Sequence, residues 1–178
     1  VHLAGHSMGA FVALQAAADS PERFASLALL GVADAMPVHP ELVRAAADDL
    51  PAAAALMAAW GHARPSHLGL NTTPGMWMIG GSRALVENSR PGALSADFSA
   101  CLAFNRAAEL ASRVTCPVTI VVGSSDKMTP SRAARRLAQS FTAPTLIELQ
   151  DAGHMMMHEK PREVRAILHD AVHLSRHR

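Results

Sequence analysis

Apolar and polar positions divide the chain into short, well-marked segments. Val1-His2-Leu3-Ala4 is a brief apolar run that stops at Gly5 and reads as a buried strand. From Met8 to Ala18 nearly every residue is apolar or small, with Gln15 the exception and no proline, which suits a helix buried on most sides. Asp19, Ser20 and Pro21 end it. Leu27-Ala28-Leu29-Leu30-Gly31 predicts a second buried strand, and the β-branched run from Pro117 to Gly123, closed by glycine, predicts a third. Thr129 is placed as an N-cap with Pro130 at the first helical position, opening a helix to about Ser140. Thr145 to Leu149 is the last strand. The closing helix starts near Pro161, with Val164, Ile167, Leu168 and Ala171 at i, i+3, i+4 and i+7.

Between the second and third strands the character changes. Residues 36–112 are rich in Ala and Met, are broken by Pro40, Pro51, Pro65, Pro74 and Pro91, and contain no clear strand. Several short helices forming a cap are expected there, with helical apolar spacing around Leu50 to Trp60. Strands that alternate with helices predict an α/β fold with a mostly parallel sheet and helices on both faces. The expected organisation is a first part of the core at 1–35, the helical cap at 36–112, and a second part of the core at 113–178.

Composition narrows the function classes. Of 178 residues 49% are apolar, which excludes an acidic disordered chain, and no apolar run is long enough to span a membrane. Sixteen basic against 15 acidic residues leave a net charge of +1, so nothing suggests nucleic acid or an anionic membrane surface as partner. Cys101 and Cys116 form no metal or disulfide framework. Reduced thiols in a cytoplasmic protein are the default, with Cys116 a small buried hydrophobe.

Gly5-His6-Ser7-Met8-Gly9 follows a strand and opens a helix. In that setting Gly-x-Ser-x-Gly is a nucleophile elbow, a strained turn that lifts the serine hydroxyl clear of the backbone. Both glycines are expected to be required because side chains there would collide with the strand and the helix. The Met8 N–H, at the helix start, then points where an oxyanion would form. A serine nucleophile needs a base, and the base an orienting acid. Gly123-Ser124-Ser125-Asp126-Lys127-Met128-Thr129-Pro130 puts Asp126 just past the third strand, and Asp151-Ala152-Gly153-His154 puts His154 just past the fourth. Open α/β sheets place their sites at such strand ends.

Together these three motifs resemble the α/β-hydrolase fold, in the branch of serine esterases and related small-substrate hydrolases. The likeness covers Val1 to about Ala35 and Arg113 to Ala171, and the intervening segment occupies the place of that family's cap. It implies Ser7 as nucleophile, His154 as general base and acid, Asp126 as orienting acid and the Met8 N–H as one oxyanion donor. It implies a cofactor-independent enzyme acting on esters of small or medium apolar acids. It also implies that about half of such an enzyme's sheet is present, that a second oxyanion donor lies outside the chain, and that the chain alone is nearly inactive. Self-association through the open sheet edge, or a missing amino-terminal segment, is the corresponding expectation.

Simpler readings stand beside these. Ser7 could be only an N-capping serine, and Asp34, after the second strand, competes with Asp126 for the acid role. His154 and His158 share the i, i+4 spacing of a zinc pair but lack the internal glutamate of a metalloprotease, so no metal is expected. His169, His173 and His177 read as solvated surface. His6, Trp60, Met76, Trp77, Met78 and Met155 are candidates for an apolar substrate pocket, with ordinary cap packing as the alternative. Rival functions are a non-catalytic hydrolase-like fragment needing a complementary chain, and a carbon–carbon hydrolase, lyase or acyltransferase of the same fold.

Overall fold

The computed structural model describes residues 1–70 and 75–174; Pro74 and His177 fall outside the described residues. In chain order the elements are β1 (His2–His6), α1 (Met8–Asp19), β2 (Ser26–Leu30), α2 (Pro40–Asp48), α3 (Leu50–Gly61), α4 (Arg64–His67), α5 (Met78–Glu87), α6 (Ala93–Ala103), α7 (Ala107–Ala111), β3 (Val118–Gly123), α8 (Ser131–Ala138), β4 (Thr145–Leu149), α9 (Met156–Glu159) and α10 (Pro161–Leu174). A single 3₁₀ turn, Pro21–Arg23, joins α1 to β2.

The four strands lie in the order β1-β2-β3-β4 and every pairing is parallel. His2 pairs with Ser26, Leu27 with Val118, and Thr119 with Thr145, so the carboxyl ends of the strands line up. β2 and β3 are buried along their whole length, as expected of strands covered on both faces. Their side chains divide by the period of two. Leu27, Leu29, Val118, Ile120 and Val122 pack with Leu14 and Phe11 of α1, Leu110 of α7 and Leu137 of α8. Ala28, Leu30, Val121 and Leu149 face the other way, against Met156 of α9 and Val164 of α10, with Ile167 and Leu168 alongside. Helices therefore cover both faces of a parallel sheet, as the alternating pattern predicted.

Helices α2 to α7 fill the interval between β2 and β3, which are neighbours in the sheet. α2, α3 and α6 share an apolar centre of their own, in which Leu42, Ala46, Ala53 and Phe98 meet Met57 and Trp60, whereas α7 packs on the sheet. Local chemistry starts these helices. Pro40 and Pro51 stand in the first turns of α2 and α3, where no N–H is missed, and the Asp49 carboxylate caps α3 by accepting from the Ala52 N–H at 3.0 Å.

Several expectations are corrected in detail. The first strand runs His2–His6 rather than Val1–Ala4, and Val12 on α1 is 62% exposed, so that helix shows one face to solvent. Helix α8 begins at Ser131, with Pro130 as its cap and Thr129 outside it. Cys116 is half-buried against the core rather than fully enclosed. Among the described residues β1 has a strand neighbour on one side only, the feature on which the expectation of self-association rests.

The elbow glycines also prove unequal. A Cβ on Gly5 would overlap the Gly9 carbonyl and lie 2.8 Å from the Ala10 Cα, because the first turn of α1 rests directly on β1. A Cβ on Gly9 would meet nothing within 4 Å. Gly5→Ala is therefore expected to cost about 2–3 kcal/mol through overpacking and to lower Tm by roughly 5–10 °C, whereas Gly9→Ala should leave Tm within about 3 °C, since alanine is the better helix former. Thermal melts followed by circular dichroism measure both.

Candidate active site

The turn between β1 and α1 holds Ser7 at φ 54° and ψ −124°, a positive-φ conformation that L residues rarely adopt. The turn is held because the Ser7 N–H donates to the Leu30 carbonyl at 3.0 Å and the Ser7 carbonyl accepts from the Ala10 N–H at 2.9 Å. Ser7 stands at the N-cap position of α1, yet its hydroxyl makes no capping hydrogen bond, which removes the simplest structural use for it. Met8 opens α1, so its N–H has no carbonyl one turn earlier to bond.

His154 and Asp126 come together from the loops after β4 and β3. His154 Nδ1 lies 2.9 Å from Asp126 Oδ2, and both side chains are almost fully buried. Since a carboxylate only accepts, Nδ1 carries the proton and Nε2 is left as the basic ring nitrogen. The other contacts of Asp126 fix it in turn. Oδ1 accepts the Met128 and Thr129 N–H groups, each at 2.8 Å, and Oδ2 accepts the Thr129 hydroxyl at 2.7 Å. Burial raises the Asp126 carboxyl, but the hydrogen bonds from His154 and Thr129 outweigh it and hold the group below the usual carboxylate range. Thr129, read from sequence as a helix cap, spends its hydroxyl here instead, and that Oγ1 is also 3.2 Å from His154 Nδ1. The competing acid, Asp34, makes a bidentate pair with Arg136 at 2.8 and 2.9 Å, and it is Asp126 that holds the histidine.

His6 braces the same histidine. Its Nε2–H donates to the His154 carbonyl at 2.9 Å, and the two rings lie 4.6 Å apart between centroids. Burial and the neighbouring His154 lower the His6 pKa to about 4, so the ring is neutral at physiological pH. His158, the other half of the supposed zinc spacing, lies instead with its ring centroid 6.2 Å from that of His62, the two planes inclined by 30°. His169 and His173 are exposed on α10 and touch each other, as a solvated face allows.

A cavity of about 620 Å³ opens where the cap meets the strand ends. Ser7, Met8, Thr129 and His154 line its floor. The cap supplies mostly apolar wall, including Leu42, Met57, Trp60, Val86 and Phe98, with Met36, Met128 and Met155 completing it. His6, Trp60 and Met155 are among its lining residues. Met76, Trp77 and Met78 are not: Met76 and Trp77 are 50% and 72% exposed, and Met78 is buried in the first turn of α5, while Ser82, Leu85 and Val86 of that helix reach the cavity. Cys101 also lines the cavity, but burial and nearby Asp97 raise its thiol pKa, which keeps it protonated and a poor nucleophile. Among the described residues no cluster of three or more His, Cys, Asp or Glu is placed to hold a metal ion.

Comparison with known proteins agrees with this architecture. A family model described as the alpha/beta hydrolase family matches residues 1–167, and the chain belongs to that family. Among solved structures it is similar to a thermophilic esterase from Thermogutta terrifontis (TM-score 0.82, 22% identity, 98% of this chain and 65% of that one). It is also similar to the enol-lactonase from Burkholderia xenovorans LB400 (TM-score 0.84, 18% identity, 97% and 65%). A hydrolase from Pseudomonas aeruginosa gives a TM-score of 0.81 at 21% identity, over 97% and 64% of the two chains. The chain thus spans about 65% of the length of these neighbours, and at such identities the likeness is one of fold. No curated protein matches it in sequence.

The half-buried His6 predicts a pH dependence. Its folded pKa of about 4 lies below the ordinary 6.5, so between these values the unfolded chain binds the extra proton and folding weakens as pH falls. Wild-type stability should drop by up to about 3 kcal/mol from pH 6.5 to pH 4 relative to His6→Gln, which keeps a donor for the His154 carbonyl without a titrating ring. Urea titrations across that range provide the measurement.

Proposed function

We propose that this protein is a serine hydrolase that cleaves carboxylic esters with small or medium apolar acyl groups. The observation that carries the reading is the buried Asp126–His154 pair, whose histidine lines the same cavity as a serine held at positive φ. In the proposed reaction His154 Nε2 takes the Ser7 proton as Oγ attacks the ester carbonyl. Asp126 holds the imidazole in the tautomer that leaves Nε2 free and stabilises the imidazolium that forms. The Met8 N–H donates to the developing oxyanion. His154 then returns the proton to the leaving alcohol, and water activated by the same nitrogen releases the acid from the acyl-enzyme.

Methionine and aliphatic walls give the acyl group a dry, adaptable surface, which favours apolar acids over charged ones. The thermophilic esterase and the enol-lactonase among the structural neighbours are consistent with acyl transfer to water at such a site.

A fluorophosphonate probe read by intact mass, together with a panel of p-nitrophenyl esters, tests the proposal. One adduct on Ser7 is expected, absent in Ser7→Ala and formed at least about a hundredfold more slowly in His154→Ala. Asp126→Asn should slow labelling far more than Asp34→Asn. Labelling elsewhere, or an inert Ser7 in the folded protein, would overturn the reading in favour of a binding module.

A further inference from the structure

Besides its ties to the strand ends, the chain around His154 is bonded to the cap, and one carboxylate makes half of that link. Glu159, at the end of α9, is 6% exposed. Its Oε2 accepts the N–H of Gly153, the residue immediately before His154, at 2.5 Å. Its Oε1 accepts two donors from the cap, the Ala63 N–H at 2.8 Å and the Ser66 hydroxyl at 2.5 Å. On the other side of His154 the Met155 N–H donates to the Gly61 carbonyl, also in the cap, at 2.8 Å. Both residues that flank His154 are thus bonded to the cap segment Gly61–Ser66, one directly and one through Glu159.

The fit is close at the backbone as well. A Cβ on Gly153 would lie 2.7 Å from the Ala63 nitrogen and 2.9 Å from the Gly61 oxygen, so the cap main chain rests against the histidine loop with no room for a side chain. Among the described residues the hydrogen-bond donors to this side chain are all neutral, and they offset the cost of burying it.

We infer that Glu159 is a positioning residue through which the cap sets the place of His154, so that seating of the substrate under the cap is felt at the base. This rests on the reading of His154 as the general base. It predicts that loosening the tie harms turnover more than binding, because the walls that hold the acyl group stay in place while the base moves.

Glu159→Gln tests it. An amide has an acceptor on one side only, so either the Gly153 N–H or the Ala63 N–H loses its partner and the tie of loop to cap is cut at one end. Expected is a fall in kcat of about 10–100-fold with KM within about twofold, the size of effect that follows from displacing a catalytic group by an ångström. Amide exchange at Gly153 and Met155 should rise at least about tenfold, with Ile120 in the core unchanged. Ser66→Ala, which removes one of two cap donors, should show the same pattern more weakly. Unchanged kcat, a parallel rise in KM, or unchanged exchange at Gly153 would overturn the inference. If Glu159→Gln does not fold, Ser66→Ala decides by the same criteria. If the wild type hydrolyses no ester, the functional reading fails by itself, and the tie of loop to cap is judged on amide exchange alone.

Discussion

An ionised carboxylate taken out of water must be surrounded by donors, and the arrangement of this molecule turns on how Asp126 meets that demand. Two backbone N–H groups and the Thr129 hydroxyl come from its own loop, and the fourth donor is His154 from the next loop. The first three hold the carboxylate rigid, so the fourth bond fixes the imidazole rather than moving with it. With the tautomer set in this way, the same bond decides which ring nitrogen is basic. Break the acid's loop and the histidine loses both its orientation and its charge partner.

That arrangement needs the loops after β3 and β4 to reach the same place, and the parallel sheet sees to it. Because β1 to β4 run in one direction with matched registers, their carboxyl ends share one edge of the sheet. The turn at Ser7 leaves that edge too, anchored on the end of β2 by its bond to Leu30. A hydrophobic sheet buried on both faces thus presents, along one rim, three short polar segments with little freedom between them.

Local patterns made much of this legible. Alternating strands and helices, the Gly-x-Ser-x-Gly turn between β1 and α1, and the positions of Asp126 and His154 just past strands all follow from short-range signals. What escaped depends on contacts distant in the chain. Thr129 precedes a proline and has the look of a helix cap; only the proximity of a buried Asp126 diverts its hydroxyl. Glu159 stands in the motif that contains His154, yet nothing local gives its partners in the cap. Met76, Trp77 and Met78 were apolar enough for a pocket, but composition does not give the place of α5 over the cavity, and the residues that reach it start at Ser82. Gly9 matches the motif while lacking the crowding that makes Gly5 necessary.

The cap enters between β2 and β3, two strands that lie side by side in the sheet. Chain entropy makes such an insertion cheaper than it looks, since the cost of closing a loop grows only with the logarithm of its length. Apart from α7, whose Leu110 packs on the sheet, helices could therefore be added to or removed from the interval between Gly31 and Pro117 without much thermodynamic effect on the pairing of Leu27 with Val118. The same topology slows assembly, because the central pairing must wait for all of that chain to be gathered in. The insertion leaves the pocket wall free to vary and hands the delay to folding, where β2, apolar on both faces, waits longest for its partner.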